Sequence, residues 1–143
     1  KFGATFTTGD VGEALEYVRD RTHGEMADHA VITVGVMHAE VLRHAVEMIG
    51  KGGNVVVTAV GGEGDTIAIH GSPVTGFHKN IQGSLFGGAN PLYDMPRLLG
   101  LYKNGDLKLD ELITRRYTLD DVNQGYEDML AGRNIRGVLI HDH

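Results

Sequence analysis

Glycines that follow apolar segments are the residues of this sequence that point most directly to a ligand. Three segments end in this way: Ala30–Val34 at Gly35, Asn54–Val60 at Gly61-Gly62, and Ile81–Phe86 at Gly87-Gly88, with Pro91 closing the last turn. Because glycine has no Cβ, another backbone or a flat ligand can approach such a segment closely. The carboxyl ends of parallel strands meet at one edge of a sheet, so the three ends predict a common crevice there. Taken alone, these glycines are equally typical of ordinary turns.

Side chains that could ligate a metal are poorly placed for that chemistry. His38 and His44 are six residues apart, which puts them on different faces of a helix. His141 and His143 alternate as on one face of a strand, but they lie at a chain end. The sequence contains no cysteine, which excludes thiolate ligands and disulfides. We therefore predict no metal site and no catalytic residue within this chain.

Acidic pairs and tyrosines could take part in proton transfer, but a structural role is more typical of each. Asp120-Asp121 and Glu127-Asp128 fit helix capping and a solvated helix face better than an acid–base pair. We interpret the remaining candidates as packing residues: Tyr93, Tyr102, Tyr117 and Tyr126.

Composition limits the class of protein. The 143 residues are 41% hydrophobic and 22% charged, as expected of a folded domain with its own core. A formal net charge of -6, with no basic cluster larger than Arg115-Arg116, argues against nucleic acid or an anionic membrane as a partner. No apolar run is long enough to cross a bilayer, and no signal-peptide pattern opens the chain, so we expect a cytoplasmic protein.

Alternating strands and helices must position the glycine-terminated ends. The apolar patterns predict a strand over Phe2–Thr8, a helix begun by the Asp10 and Glu13 capping box, a strand over Ala27–Val34 and a helix over His38–Ile49. Glycines 50, 52 and 53 are predicted to end that helix. Val55-Val56-Val57 is typical of a central parallel strand. The order β-α-β-α-β predicts a right-handed parallel sheet.

The rest of the chain does not continue the regular alternation of strands and helices. We predict strands over Thr66–His70, Asn80–Phe86, Ile113–Tyr117 and Gly137–His141, with an irregular piece at Ser72-Pro73. One helix should be capped by Asp94 and end at Gly105. A last helix should open at Thr118 and Asp121, end at Gly132, and bury four of its side chains: Val122, Tyr126, Met129 and Leu130.

Three stretches carry a resemblance to a known family: Ile81–Pro91, Leu107–Thr114 and Asn134–Val138. In this order and spacing they resemble the C-terminal part of the zinc-dependent medium-chain alcohol dehydrogenases. The sequence of Gly83–Pro91 followed by that of Asp110–Tyr117 is most similar to the nitrosoaniline-dependent members, which hold their nicotinamide cofactor tightly. The resemblance implies an α/β fold with a partial Rossmann sheet at 1–91, lacking its first two strands, and a return segment to a catalytic domain at 92–143.

The resemblance also implies which residues bind NAD or NADP. Thr33, Val34, Gly35 and Val36 would lie on the adenosine side of the cofactor. Backbone groups of two further stretches would hold the nicotinamide carboxamide: Thr58, Ala59 and Val60 on one side, and Ser84, Leu85 and Phe86 on the other. Arg136 would bind the pyrophosphate, a task that suits its permanently charged, bidentate guanidinium.

Several features of the resembled family have no counterpart here. The sequence has no G-x-G-x-x-G motif, no acidic residue placed to choose between NAD and NADP, and no match to the histidine and two cysteines that would bind the catalytic zinc. We therefore expect the chain to start inside a nucleotide-binding domain. Without two central strands, Ala30–Val34 would be an open edge of the sheet. Three outcomes are open: Phe2–Thr8 pairs with this edge, Phe2–Thr8 packs loosely, or the edge pairs with another chain. The resemblance further implies a homo-oligomer through the Asn80–Phe86 edge.

The sequence therefore predicts part of an NAD(P)-dependent zinc alcohol dehydrogenase that oxidises primary alcohols to aldehydes, with the chain inactive by itself. Two alternatives stay open: a stand-alone dimerisation or interaction module with a dehydrogenase-derived fold, and a zinc-free quinone or aldehyde reductase.

Overall fold

The chain folds into two compact units, as described by a computed structural model that covers residues 2–61 and 66–141. The first unit spans Gly3–Ala89 and the second begins at Asn90. Gly62 and His143, which the sequence analysis singled out, lie outside the described residues. In the described ranges, no helix is both long and apolar enough to cross a membrane.

A three-stranded parallel sheet forms the centre of the first unit. Its elements follow in the order α1 (Val11–Arg21), β1 (Ala27–Ile32), α2 (Ala39–Met48), β2 (Ile49–Val57), α3 (Gly71–Gly76) and β3 (Asn80–Gly83). Strand β2 lies between β1 and β3, and all pairs are parallel. Ala30, Val55 and Ile81 are level across the sheet. The predicted α/β fold with a parallel sheet is confirmed.

The core of this unit lies between α2 and the sheet. Leu42, Ala45 and Val46 recur at helical spacing along α2 and are buried, as are Ile49 and Val55 of β2. Glycines 50, 52 and 53 lie inside β2 and do not end the preceding helix. A Cβ at Gly50 would overlap the Glu25 carbonyl oxygen, so glycine is what allows this close backbone approach.

Asp10 is the N-cap residue of α1, as predicted, but the Glu13 side chain does not complete the capping box. The Glu13 backbone N–H donates to Asp10 Oδ1 at 2.8 Å, as in a capping box. The Glu13 carboxylate accepts from the Thr8 hydroxyl at 2.7 Å, and Thr8 Oγ1 in turn accepts from the Asp10 N–H at 3.0 Å.

The second unit contains a two-stranded parallel sheet and two longer helices. The elements are α4 (Pro91–Lys103), β4 (Ile113–Tyr117), α5 (Val122–Leu130) and β5 (Arg136–Leu139), with β4 paired to β5. The prediction that Asp94 caps α4 is wrong. Asn90 is the N-cap residue and Pro91 opens the helix, while Asp94 Oδ2 accepts from the Asn90 backbone N–H at 2.8 Å.

Two predicted strands are wrong. Phe2–Thr8 is irregular, and its Phe6 ring stacks on Tyr17 of α1 at a centroid distance of 4.0 Å. Thr66–His70 is also irregular, and the short helix α3 replaces the irregular piece predicted at Ser72-Pro73. A strand needs a neighbour for its backbone N–H and C=O groups, and neither segment belongs to a sheet of the described residues.

Of the four side chains predicted to be buried on α5, Val122 is half-buried and the other three are exposed, so the prediction is wrong for those three. Tyr126, Met129 and Leu130 are 60%, 56% and 83% exposed. The helix instead turns Gly125 and Asp128 toward β4, because the Tyr117 ring packs against Gly125, 3.6 Å from where a Cβ would lie. The prediction chose the face with the most apolar residues. The face that is packed in the structure carries Gly125 and the Asp128 carboxylate, so its burial could not be predicted from apolar residues.

We expect Val55→Ala to lower the free energy of unfolding of the first unit by about 2–3 kcal/mol, because Val55 is fully buried between α2 and the neighbouring strands. Val31→Ala is the matched control, since Val31 is 60% exposed on the adjacent strand and should cost less than about 0.5 kcal/mol. Urea unfolding followed by circular dichroism measures both. Equal losses for the two variants would contradict this description of the core.

Candidate functional site

The three parallel strands of the first unit end at the same edge of their sheet. Ile32 closes β1, Val57 closes β2 and Gly83 closes β3, and these residues share one level of the ladder. The predicted stretches Thr33–Val36, Thr58–Val60 and Ser84–Phe86 each follow directly from one of these ends. The structure thus brings together ten of the eleven residues that the sequence assigned to cofactor binding.

Hydrogen bonds extend the ladder past the strand ends and fix these stretches. Thr58 donates twice to the Ile32 carbonyl oxygen, from its backbone N–H at 3.1 Å and from its hydroxyl at 2.8 Å. The Ser84 N–H donates to the Val57 carbonyl oxygen at 2.8 Å. Val36 and Val60 form a parallel bridge, and the Met37 N–H donates to the Val60 carbonyl oxygen at 3.4 Å. The backbone at this edge is therefore held by hydrogen bonds within the chain.

Apolar side chains at the same edge are exposed. Five of them belong to the predicted stretches: Val34, Val36, Val60, Leu85 and Phe86. Phe86 is 83% and Leu85 72% exposed, which is unusual for large apolar residues next to a sheet. A cluster of exposed apolar residues beside ordered backbone groups is typical of a binding surface.

The turn after β3 has a strained backbone. Phe86, Gly87 and Gly88 have φ values of 50°, 72° and 66°, so three successive residues are left-handed. The Gly88 N–H closes the turn on the Leu85 carbonyl oxygen at 2.9 Å. Glycine takes this conformation freely, whereas a bulky residue such as Phe86 does so at a cost on the order of 1–3 kcal/mol. Strain of this kind concentrates at ligand-binding sites.

Arg136, the remaining predicted residue, belongs to the second unit. It is the first residue of β5 and is exposed. It lines a groove of about 350 Å³ together with apolar and aromatic side chains of α5 and β4, among them Tyr117, Tyr126 and Met129. Among the described residues, the guanidinium of Arg136 takes part in no ion pair.

Asp128 is a residue that the sequence analysis misjudged. It was interpreted as part of a solvated helix face, yet it is 2% exposed. Its Oδ1 accepts from Arg133 Nε at 2.7 Å and from Gln124 Nε2 at 3.0 Å. Its Oδ2 accepts from the Tyr117 hydroxyl at 2.7 Å and lies 3.5 Å from an Arg115 guanidinium nitrogen. The available sequence signal was the i, i+4 spacing of Gln124 and Asp128 followed by Arg133.

These contacts shift two ionisation equilibria. The Tyr117 hydroxyl and the Arg133 guanidinium stabilise the carboxylate and lower the pKa of Asp128 from 3.8 to about 2, although burial opposes the shift. Burial and the bond to the Asp128 carboxylate both raise the pKa of Tyr117. Tyr117 therefore stays protonated as a structural donor, and Asp128 stays charged.

Zinc does not fit the residues that the structure describes. In the ranges 2–61 and 66–141, no three histidine, aspartate or glutamate side chains come together as metal ligands. The full sequence has no cysteine.

An α/β unit whose parallel strands end at one exposed apolar edge has the architecture of open sheets that bind ligands outside that edge. The comparison with known families agrees with the geometry, since the family model described as zinc-binding dehydrogenase matches residues 1–104. The chain belongs to the zinc-binding dehydrogenase family.

Individual relatives are similar along nearly the whole chain. The chain is 48% identical over 142 residues to the NDMA-dependent alcohol dehydrogenase of Amycolatopsis methanolica, which covers 99% of this chain and 38% of that protein. It is 44% identical over 140 residues to alcohol dehydrogenase B of Mycobacterium tuberculosis strain H37Rv, with 97% and 37% covered. The chain thus spans less than two fifths of the length of these relatives. The predicted resemblance to zinc-dependent alcohol dehydrogenases is confirmed.

Solved structures show the same fold. Benzyl alcohol dehydrogenase from Acinetobacter calcoaceticus superposes with a TM-score of 0.79 at 23% identity, covering 90% of this chain and 35% of that one. Alcohol dehydrogenase TADH from Thermus sp. ATN1 has the same TM-score and identity, with 98% and 39% covered.

We expect the Asp128 carboxyl to titrate with a midpoint at about pH 2, well below 3.8, because its charged form holds the hydrogen bonds described above. Since the pKa is lowered in the folded state, the stabilisation is complete above the unfolded value and is lost as the pH falls from about 4 toward about 2. Carboxyl ¹³C NMR measures the midpoint, and Asp128→Asn should remove this part of the acid dependence of unfolding. A midpoint at or above 3.8 would contradict the assignment.

Proposed function

We propose that this chain forms part of the cofactor site of an NAD(P)-dependent alcohol dehydrogenase that oxidises primary alcohols to aldehydes. One observation carries the proposal: three stretches that contain or precede glycine, with hydrogen-bonded backbone and exposed apolar side chains, follow the carboxyl ends of one parallel sheet. Ligands of open α/β sheets bind outside that edge. Family membership and the printed name of the Amycolatopsis relative support the alcohol dehydrogenase activity.

Each stretch would hold a different part of the cofactor. Thr33–Val36 would lie along the adenosine side. Backbone groups of Thr58–Val60 and Ser84–Phe86 would bind the nicotinamide carboxamide from its two sides, and the exposed apolar side chains would exclude water from the ring. Nicotinamide, when bound, supplies hydride transfer. The left-handed turn at Phe86 supports this role, because it fixes the direction of a backbone N–H at the cost of strain.

Arg136 would bind the pyrophosphate. Its guanidinium is exposed and, in the described part of the chain, is not engaged in an ion pair, so it is available to an anionic ligand. Zinc would be held by residues of the whole enzyme that lie outside this chain. We expect this chain to be inactive by itself. A cytoplasmic location belongs to the same proposal, since a sequence without cysteine fits a reducing compartment.

An interaction module is a second candidate, and one observation favours it. Helix α4 carries large apolar side chains that are strongly exposed, with Leu92 at 92%, Tyr93 at 70% and Met95 at 61%. Such a surface suits a protein partner. A zinc-free quinone or aldehyde reductase is the third candidate. Zinc ligands elsewhere in the whole enzyme would exclude it, and their absence there would favour it.

We expect the chain to bind NAD saturably in calorimetric titration. Gly35→Leu should abolish or greatly weaken binding, because a leucine would occupy the cofactor edge while a Cβ at Gly35 meets no protein atom within 4 Å. Arg136→Ala should weaken binding about tenfold through the loss of charge-assisted hydrogen bonds to phosphate.

Two matched variants control for unspecific damage. Gly76→Leu also adds a side chain where a Cβ has no neighbour within 4 Å, but at the end of α3, away from the carboxyl edge. Arg116→Ala removes an exposed arginine of the paired strand β4. Both controls should bind NAD as the original chain does. A chain that binds no NAD, or equal losses for variants and controls, would favour the interaction module.

The β3 edge generates a separate prediction. The Ser84 N–H points to β2, so by strand alternation the backbone groups of Ile81 and Gly83 point away from it. We expect two chains to pair through these groups and give twice the chain mass of 15.5 kDa in light scattering. Gly83→Pro removes one outward N–H and should shift the protein toward monomer without lowering its helix content. A monomer at high concentration for the original chain would contradict the proposed pairing.

A further inference from the structure

The segment Ala131–Ile135, which joins α5 to β5, fixes the backbone from which Arg136 extends. The Arg133 N–H donates to the Asp128 carbonyl oxygen at 2.8 Å, and Arg133 Nε donates to the Asp128 carboxylate at 2.7 Å. Asn134 Nδ2 donates to the Tyr117 hydroxyl oxygen at 3.0 Å. The Ile135 N–H donates to the Thr114 hydroxyl at 2.9 Å. Three consecutive residues before Arg136 are thus tied to α5 or β4.

The Tyr117 ring links the same network to the residue after Arg136. A Cβ on Gly137 would lie 2.7 Å from Tyr117 Cε2, so the ring packs directly on the Gly137 backbone. The ring also contacts Gly125 of α5. The Tyr117 hydroxyl donates to Asp128 Oδ2 at 2.7 Å, which fixes the ring through a charge-assisted bond. Gly137 is therefore held through Tyr117, whose hydroxyl is bound to the buried Asp128 carboxylate, while Ile135 on the other side of Arg136 is held by Thr114.

We propose that Asp128 is a positioning residue: through Tyr117 and the Ala131–Ile135 segment, it orients Arg136 toward the pyrophosphate of a nicotinamide dinucleotide. The inference rests on the proposed function and adds a residue to it. Asp128 is buried and does not touch the ligand itself. It also pairs with Arg133, which belongs to that segment, and lies close to Arg115 of β4.

The network requires a carboxylate at this position. Asp128 accepts hydrogen bonds from three donor groups on both of its oxygens and pairs with Arg115 at 3.5 Å, and an ionised carboxylate is an acceptor only. In Asp128→Asn, one acceptor becomes an amide that donates toward Tyr117 or Arg133. Since Asn134 already donates to the Tyr117 hydroxyl, the asparagine would leave buried donors without acceptors.

The test compares four variants of the chain: Asp128→Asn, Tyr117→Phe, Arg136→Ala, and the double variant of Asp128 and Arg136. Calorimetry measures the dissociation constant of NAD, and NMR titration measures that of nicotinamide riboside, which lacks both phosphates. Relaxation of ¹⁵N amides reports the mobility of 131–137. Glu127→Gln is the matched control, because it neutralises the exposed acid next to Asp128. Tyr117→Phe keeps the ring and removes only the hydroxyl, which provides a milder change if Asp128→Asn unfolds the second unit.

We expect Asp128→Asn to weaken NAD binding about as much as Arg136→Ala, about tenfold, with no further loss in the double variant. Tyr117→Phe should act in the same direction but less strongly. Amides of 131–137 should become more mobile, while riboside binding and the Glu127→Gln chain stay unchanged. General damage would instead weaken both ligands.

Two results separate the inference from the proposed function. If Arg136→Ala weakens NAD binding but Asp128→Asn and Tyr117→Phe retain full affinity, the inference alone is overturned. Additive losses in the double variant, or an equal loss of riboside binding, overturn it as well. A chain that binds no NAD overturns the proposed function, and the inference with it.

Discussion

Parallel pairing of β2 with both β1 and β3 is the constraint on which the rest of the first unit depends. Parallel strands that are level with one another must end at the same edge, and here Ile32, Val57 and Gly83 do so. The register is fixed by burial, since Val55 is fully inaccessible and a slip by one residue would turn it to the other face of the sheet. The backbone bonds of Thr58 and Ser84 continue the register into the loops. The geometry of the candidate cofactor edge is therefore a consequence of core packing.

The second unit is stabilised mainly by polar contacts around a buried carboxylate rather than by an apolar core. Its strands β4 and β5 are short, and much of the apolar surface of α4 and α5 is exposed. A buried carboxylate takes the central place, with Asp128 accepting hydrogen bonds from Tyr117, Gln124 and Arg133. Such a network tolerates change poorly, because removal of one partner leaves the others desolvated without a bond. Order in this unit thus depends on directed polar contacts, which also fix the segment in front of Arg136.

Elements whose pattern matched their final environment could be predicted from the sequence. Val55-Val56-Val57 lies in the central strand, and the strand predicted at Ile113–Tyr117 has the observed bounds. Phe2–Thr8 has the composition of a strand but belongs to neither sheet in the described part of the chain, and strand pairing is a tertiary property that local propensity does not predict. Asp128 was missed for a related reason: Tyr117, which donates to its carboxylate, lies on β4, so the local spacing of Gln124, Asp128 and Arg133 did not by itself predict burial. The glycine-terminated ends were found because turn chemistry is local.

The central claim is that a nicotinamide cofactor binds where the three parallel strands end. Chemical-shift mapping of backbone amides during titration with NAD tests it most directly, because every stretch at that edge has its own signals. The account predicts that the large shifts fall in Thr33–Val36, Thr58–Val60 and Ser84–Phe86. Shifts concentrated at the opposite ends of the strands, around Ala27, Ile49 and Asn80, would contradict it.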